Sequence, residues 1–139
     1  MISLIPRALR AAILTCAMIA AAPALAGTGA TGIWIDHTGR GAVEIKQCGK
    51  TLCGNVVWLE DAANAEACGL QVIGNVKPVA RNRWDNGWIY DPDADAQYDV
   101  EITVLRNGKL KVLGYAGTKW FSETMIWTRA PADLKLCKA

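Results

Sequence analysis

Few side chains in this sequence are suited to catalysis. His37 is the single histidine, and Ser122 is the one serine beyond residue 26. A Ser/His/Asp arrangement needs a nucleophile on a tight, glycine-flanked turn and a histidine oriented by an acid. Ser122 lies in "KWFSE", which has no such glycines, and His37 precedes Thr38-Gly39, where a surface turn is expected. The sequence therefore does not predict an enzyme, and we expect no cofactor.

The acidic residues offer a second possible chemistry. Asp91, Asp93 and Asp95 alternate along the chain, as oxygen ligands do in calcium-binding loops. The twelve-residue loop pattern is not met, because Ala96 stands at its glycine position and Ile102 at its glutamate position. Asp-Pro-Asp also sets turns, since proline fixes φ and aspartate binds the local backbone. We predict a solvated turn here and no metal site.

Aromatic residues cluster in "RWDNGWIYDP", residues 83–92, which contains Trp84, Trp88 and Tyr90. One interpretation is a hairpin, in which Asp85-Asn86-Gly87 forms the turn and Trp84 faces Trp88 across it as an aromatic pair. The other interpretation is a ligand-facing role, chiefly for Trp88 and Tyr90. The sequence favours the hairpin and leaves the second interpretation open.

The amino terminus reads as a secretory signal peptide. Arg7 and Arg10 precede an apolar run, and Ala24-Leu25-Ala26 provides small residues at the cleavage positions. The run is shorter than the ~20 residues that a membrane-spanning helix needs. We therefore predict that residues 1–26 are removed and that residues 27–139 form one domain with no transmembrane span. The mature protein is expected in the periplasm or outside the cell.

Charge excludes one class of partner. The chain has 15 basic and 13 acidic residues, but two of the arginines lie in the predicted signal peptide. The mature chain would then be neutral and would contain no run of Lys and Arg. Nucleic-acid binding requires a basic footprint, so nucleic acid is not an expected partner.

The elements of the mature chain read mainly as strands. In the segment from 98 to 104, Tyr98, Val100, Ile102 and Val104 alternate with polar residues, the period of a half-buried strand. "RNGK", residues 106–109, separates two such segments and predicts a hairpin with a type I′ turn. Residues 60–68 are the one plausible long loop or short helix. About eight short strands indicate an all-β protein, either an antiparallel barrel or a sandwich.

Four cysteines remain after the predicted cleavage, which suggests two disulfides in an exported chain. Three pairings are formally possible. Cys48 and Cys53 flank a short connection between two strands and can face each other across a hairpin. Cys68 then pairs with Cys137 and ties the carboxyl tail to the start of the fourth strand.

Several segments together resemble a known family. They are "GIWID", "KQCGKTLCGNVVWLE", "GWIYDP" and "LKVLGYAGTKWFSETMIWTRA". The resemblance is to an uncharacterised family of exported bacterial proteins, labelled only as a domain of unknown function, with a lipocalin-like (calycin-type) β-barrel. It covers the chain from Gly32 to Cys137. Gly32-Ile33-Trp34 is similar to the Gly-x-Trp of lipocalin first strands, which implies that Arg129 stacks on Trp34 and closes one end of the barrel.

A small barrel of this kind leaves two functional hypotheses. The first is a non-catalytic binding module for a small apolar molecule in the barrel interior. The second is a structural or interaction protein of the cell envelope whose barrel is filled by its own side chains. The residues expected to line a pocket, the first five pointing inward and the last two near a mouth, are Trp58, Val100, Ile102, Val112, Ile126, Trp88 and Tyr90.

Overall fold

The computed structural model describes Ala17 and residues 29–138. The predicted signal peptide and its cleavage site therefore lie outside the described residues, apart from Ala17. Within the part of the chain that is described, no helix is long and apolar enough to cross a membrane.

Eight antiparallel strands form one closed barrel, in which each strand pairs with the next and the last strand pairs with the first. The pairing of the last strand with the first sets Trp34 opposite Arg129. This pairing shows that the fold is a barrel and not a sandwich, the two architectures that the strand pattern allowed. A 3₁₀ helix, Ala62–Ala67, lies between β3 and β4 where the loop or short helix was predicted. The strands are β1 (Gly32–Ile35), β2 (Gly41–Cys48), β3 (Thr51–Leu59), β4 (Gln71–Ala80), β5 (Arg83–Asp91), β6 (Ala96–Val104), β7 (Leu110–Ala116) and β8 (Thr118–Arg129).

The connections alternate between the two ends of the barrel, because every strand is antiparallel to its neighbours. The connections β1–β2, β3–β4, β5–β6 and β7–β8 surround one end, which we call the mouth. The connections β2–β3, β4–β5 and β6–β7 surround the other end, which we call the floor.

The apolar core fills the barrel towards its floor. Val100, Ile102 and Val112, which were predicted to point inward, have no exposed surface. Burying a large aliphatic side chain contributes roughly 1.5–3 kcal/mol, so this layer is the main source of stability. The largest fully buried side chains are Trp34, Ile45, Leu52, Ile73, Ile102, Leu110, Val76, Val100 and Val112.

Trp34 and Arg129 close the floor as the lipocalin likeness implied. The guanidinium carbon of Arg129 lies 3.9 Å from the centroid of the indole ring. Its Nη1 donates to the carbonyl of Thr31 at 2.6 Å, and its Nη2 donates to that of Gly29 at 2.9 Å. Gly32 has a φ of +125°, and a Cβ there would collide with the guanidinium. The glycine is therefore required by the stack.

The hairpin predicted within "RWDNGWIYDP" is wrong, because β5 runs without a turn from Arg83 to Asp91. Asp85 and Asn86 instead form a β-bulge, marked by a register shift and by a φ of 62° at Asn86. A Cβ at Gly87 would lie 2.7 Å from the Cα of Val76, so the bulge needs this glycine. Asx-Gly pairs suit bulges as well as turns, since both need left-handed backbone.

The two tryptophans of this stretch consequently do not face each other. Trp84 pairs with Ile102 and packs against the core. Trp88 pairs with Gly74 and Asp99, and its indole covers the space where a Cβ of Gly74 would lie.

The "RNGK" hairpin is confirmed, although its turn differs from the predicted type. The amide of Gly108 donates to the carbonyl of Leu105, and Gly108 has a φ of +80°. Asn107 keeps a negative φ, whereas a type I′ turn would need positive values at both central residues. The loop is one residue longer than a type I′ connection, so a single left-handed glycine completes it.

Both disulfides are confirmed, with Cα atoms 5.8 Å apart for Cys48–Cys53 and 6.1 Å apart for Cys68–Cys137. Cys48 and Cys53 are diagonal neighbours and not directly opposed, since Cys48 pairs with Thr51 and Cys53 with Lys46. Two disulfides are typical of proteins that fold in an oxidising environment outside the cytoplasm.

Candidate functional site

A cavity of about 1160 Å³ lies above the core and opens at the mouth. The inner part of its wall is apolar because the inward positions of the strands carry aliphatic, aromatic and thioether side chains, whereas polar residues line the part nearer the opening. Trp127, with 3% of its surface exposed, belongs to this wall, and its indole N–H has no hydrogen-bond partner among the described residues. The principal wall residues are Val43, Val56, Val72, Ile89, Met125 and Trp127.

The cavity exists partly because Gly114 has no side chain. Gly114 pairs with Val100 on β6 and with Glu123 on β8, so it faces the barrel interior. A Cβ built on it meets one atom within 4 Å, the Cε of Met125 at 3.8 Å. Two residues nearer the floor, Val112 fills the interior with no exposed surface. On β7, the residues that line the cavity therefore begin at Gly114.

The mouth of the cavity is acidic. Seven carboxylate residues line it, against one arginine, Arg40, and the histidine His37. The carboxylate residues are Asp36, Glu60, Asp61, Glu66, Asp91, Asp93 and Glu123.

Three of these carboxylates hold turns in shape. Asp36 accepts from the backbone and hydroxyl of Thr38, and Asp61 accepts from the amide of Ala63. Asp91 accepts from the amides of Asp93 and Ala94, which confirms the solvated turn predicted there. These hydrogen bonds fix the connections that surround the mouth.

Other carboxylates at the mouth are free to interact with a bound molecule. Within the described range 29–138, no hydrogen bond or ion pair engages the carboxylates of Glu60, Glu66, Asp93 or Glu123. Glu123 shares the inner face of the β7–β8 pair with Gly114, so its side chain borders the empty space that the glycine leaves.

Aromatic rings surround the same opening. Trp120 is 93% exposed and Phe121 is 75% exposed, and both line the cavity from the start of β8. Tyr98 and Tyr90 line it from the other side. The hydroxyl of Tyr90 donates to Asp95 at 2.8 Å, and this hydrogen bond is the largest cause of a raised pKa for Tyr90. The mouth therefore presents both aromatic faces and carboxylates.

A charged cluster on the outer face anchors the strand that carries these aromatics. Lys119 donates to Asp85 at 2.6 Å and to Glu101 at 2.5 Å, and the hydroxyl of Tyr115 donates to Asp85 at 2.7 Å. Asp85 and Glu101 are each 7% exposed, although the alternation of β6 predicts Glu101 on a solvated face. Lys119 covers them. Its ammonium is thereby directed away from the mouth.

The pKa values of the cluster follow from these contacts. Burial raises the pKa of Asp85, but hydrogen bonds from Lys119, Tyr115 and the amide of Asn86 outweigh it and leave this pKa below its usual value. The hydrogen bonds to Asp85 and Glu101 raise the pKa of Lys119. Burial and the hydrogen bond to Asp85 raise the pKa of Tyr115 to about 12. At neutral pH, Asp85 is therefore ionised, Lys119 is protonated and the Tyr115 hydroxyl keeps its proton.

Residues 32–129, from the start of β1 to the end of β8, match the family model of an uncharacterized protein conserved in bacteria (DUF2147). The chain belongs to the DUF2147 family. This confirms the resemblance seen in the sequence. No curated protein matches the chain.

A solved structure extends the comparison for this DUF2147 protein. The chain is similar to HP1028 from the human pathogen Helicobacter pylori, described as belonging to the lipocalin family. The two share 15% identity and a TM-score of 0.57, and the match covers 74% of this chain and 84% of HP1028. At this identity the likeness shows the fold, a lipocalin-like barrel.

Five of the seven predicted pocket residues of the DUF2147 barrel fall into three groups. Tyr90 lines the cavity at its mouth. Val100, Ile102 and Val112 point inward but belong to the filled core and not to the cavity wall. Trp88 lies over Gly74 and is not part of the wall.

The inward orientation predicted for Ile126 and Trp58 is wrong. Ile126 pairs with Lys111, lies between the inward Met125 and Trp127, and is 39% exposed. Trp58 pairs with Ala42, and the register shift between Ala42 and Val43 separates this pair from that of Val43 with Val56. The alternation of β3 therefore reverses between Val56 and Trp58. Neither residue lines the cavity of the DUF2147 barrel.

Sequence reasoning missed the acidic mouth, the aromatic pair Trp120-Phe121 and the role of Gly114. His37 and Ser122 both lie exposed at the mouth, and among the described residues no hydrogen bond joins them. The charges of the connections between strands could have revealed the acidic mouth from the sequence. Once eight strands are assigned, alternate connections share one end of the DUF2147 barrel, and their charges can be compared.

Proposed function

We propose that the protein is a non-catalytic binding module that takes up a small, largely apolar molecule in its barrel. The single observation that carries this proposal is the cavity of about 1160 Å³ above the core. Small-molecule sites usually measure ~300–1,000 Å³ and are lined mainly by apolar and aromatic side chains, so this open cavity is slightly larger than the usual range. The inner wall, with Val56, Ile89 and Met125, has this character.

The fold agrees with this proposal. Eight-stranded barrels are just wide enough either to be filled by side chains or to hold one small ligand, as lipocalins do. Here the floor is filled and the upper part is hollow. A rigid, filled floor below an open cavity suits a preformed site, which binds without reorganising the strands.

An interaction protein of the cell envelope remains the second candidate. The observation in its favour is the exposure of Trp120 and Phe121, at 93% and 75%. Exposed aromatic residues are typical of contact surfaces. The hollow interior favours the first proposal, because an interaction protein with a filled barrel has no need of a cavity.

We further propose that the protein works in the periplasm or outside the cell. The two disulfides support export, because such bonds persist in oxidising compartments. Cell fractionation and the intact mass of the purified protein test this proposal. We expect a mature chain that begins at Gly27 and contains no free thiol.

Fluorescence of the neutral probe N-phenyl-1-naphthylamine tests the binding function. We expect saturable enhancement with the wild-type protein, and at least about tenfold weaker binding in Gly114→Leu, whose new side chain occupies the cavity. Thr124→Leu places the same side chain on the outer face of the neighbouring strand and should bind as the wild type does. Val56→Phe fills the cavity from another wall and serves if Gly114→Leu fails to fold. Absence of saturable binding by the wild type would overturn the proposal.

A further inference from the structure

The two ends of the barrel carry opposite charge. The floor connections contain Lys50, Arg81, Arg106 and Lys109 and no acidic residue. The mouth, by contrast, has seven carboxylate residues and one arginine around the cavity. Charge separated along the barrel axis produces a field that draws cations towards the mouth and repels anions from it.

The basic residue nearest to the aromatic pair does not neutralise the mouth. Lys119 precedes Trp120 in the chain, but its ammonium is bound to Asp85 and Glu101 and does not line the cavity. Its neighbours Trp120 and Phe121 do line the cavity. The ion pairs therefore keep a positive charge out of the opening while they fix the strand beside it.

The carboxylate of Glu123 lies on the inner face of the barrel, inside the opening of the cavity. Along β8, Phe121, Glu123, Met125 and Trp127 alternate and all line the cavity, in order from the mouth towards the floor. Glu123 faces Gly114, which leaves room beside the carboxylate for a group of a bound molecule. Below it the wall is apolar. A ligand lying along β8 would meet an aromatic ring, then a carboxylate, then an apolar surface.

The wall also contains a polar group that lacks a partner. The indole N–H of Trp127 is buried and has no hydrogen-bond partner within the described residues. Buried polar groups are nearly always hydrogen-bonded, and because an indole N–H only donates, this exception marks a place for an acceptor atom from water or from a bound molecule. This observation is independent of the charge at the mouth.

We propose that the cavity takes an amphiphilic cation, with a quaternary or protonated ammonium head at the mouth and an apolar body in the barrel. The head would lie between Glu123 and the rings of Phe121 and Trp120, because aromatic faces and carboxylates together recognise ammonium groups. The apolar body would contact Val56, Ile89 and Met125. This inference rests on the proposed binding function and adds the charge of the ligand.

Displacement of N-phenyl-1-naphthylamine by three octyl compounds tests the inference. Octyltrimethylammonium, octanoate and 1-octanol share an eight-carbon chain and differ in the charge of the head. We expect the cation to displace the probe at about tenfold lower concentration than 1-octanol, and octanoate to be the weakest. The preference for the cation should decline at 1 M NaCl, where the Debye length falls to about 3 Å.

Glutamate variants test where the ammonium head of the ligand binds. Glu123→Gln should weaken displacement by octyltrimethylammonium about fivefold and leave that by 1-octanol unchanged. Glu44→Gln removes a carboxylate that pairs with Lys46 away from the cavity, and it should behave as the wild type. Glu60→Gln, at the rim, provides a second variant if Glu123→Gln does not fold.

The outcomes separate the two proposals. Equal displacement by all three compounds, or strongest displacement by octanoate, overturns the cationic ligand while the binding function stands. Failure of the wild type to bind the neutral probe overturns both. An unchanged cation preference in Glu123→Gln and Glu60→Gln overturns the proposed location of the head group.

Discussion

Arg129 stacks on Trp34 with its guanidinium carbon 3.9 Å from the indole centroid, and the same guanidinium donates to two carbonyls of the segment before β1. The indole N–H of Trp34 in turn donates to the carbonyl of Ala30 at 2.8 Å. These contacts connect the last residue of β8 to the segment that enters β1. The barrel is thereby closed at the floor by side chains as well as by backbone pairing.

We expect Arg129→Lys to lower the free energy of unfolding by about 1–3 kcal/mol, because lysine lacks the planar fork that reaches two carbonyls and stacks more weakly on indole. Urea unfolding followed by tryptophan fluorescence measures this change. Arg106→Lys, at the exposed β6–β7 turn, should alter the free energy by no more than about 0.5 kcal/mol. Equal effects of the two substitutions would contradict the role given to the stack.

Removal of the Lys119 ammonium should destabilise the protein by about 1–3 kcal/mol, because Asp85 and Glu101 would remain mostly buried without a counter-charge. The side chain of Lys119 is 46% exposed, so we expect less than for a fully buried pair. Lys119→Met tests this in urea unfolding. Lys46→Met breaks the more exposed pair with Glu44 and should cost less than about 1 kcal/mol. A smaller effect at Lys119 than at Lys46 would refute the prediction.

The same cluster predicts how stability depends on pH. The pKa of Asp85 is lowered by folding, so its stabilisation is present above the unfolded value of 3.8 and is lost as pH falls through the folded value. The pKa of Tyr115 is raised to about 12, so its stabilisation is present below 10.0 and is lost as pH rises towards 12. The pKa of Lys119 is also raised by folding, so its stabilisation is likewise lost as pH rises.

Urea midpoints measured from acid to alkaline pH should therefore show a plateau that ends below about pH 4 and above about pH 10. Asp85→Asn should weaken the acid dependence, and Tyr115→Phe should weaken the alkaline dependence. If both variants kept the wild-type pH profile, the pKa shifts would have another origin.

The two disulfides should differ in their effect on stability. Cys68–Cys137 closes a sequence separation of 69 residues and Cys48–Cys53 one of 5. By the chain-entropy argument, replacement of both cysteines by serine should cost about 4 kcal/mol for the first pair and about 2 kcal/mol for the second. Differential scanning calorimetry of the two double variants shows which disulfide contributes more to stability. A larger loss for the Cys48–Cys53 pair would contradict it.

The strands and the cysteine pairs were predictable from the sequence because they depend on local patterns. The alternation of Tyr98, Val100 and Ile102 identifies β6, and Asn107-Gly108 identifies the hairpin that follows it. The prediction of a turn within residues 83–92 failed because the same local pattern is compatible with two structures. Asp85-Asn86-Gly87 suits a turn and a bulge equally, and the bulge forms because Asp85 has distant partners, Tyr115 and Lys119.

The cavity was harder to predict, because it depends on which residues share a level of the closed barrel. Gly114 reads as a weak strand residue in the sequence, yet in the barrel it is the first residue of β7 that lines the cavity. The register shift between Ala42 and Val43 changes the face of the sheet on which Trp58 lies, and no local sequence pattern predicts this shift. The acidity of the mouth arises from connections far apart in sequence that closure brings to one end.

The division of the barrel at Gly114 has a consequence for divergence within the family. Residues that maintain the fold lie below this level, and residues that would select a ligand lie above it, largely on connections between strands. Substitutions at the mouth therefore leave the packed floor undisturbed, and connecting segments tolerate change better than the strands they join. Under the proposed binding function, relatives that share this floor would differ in ligand preference through substitutions at the mouth.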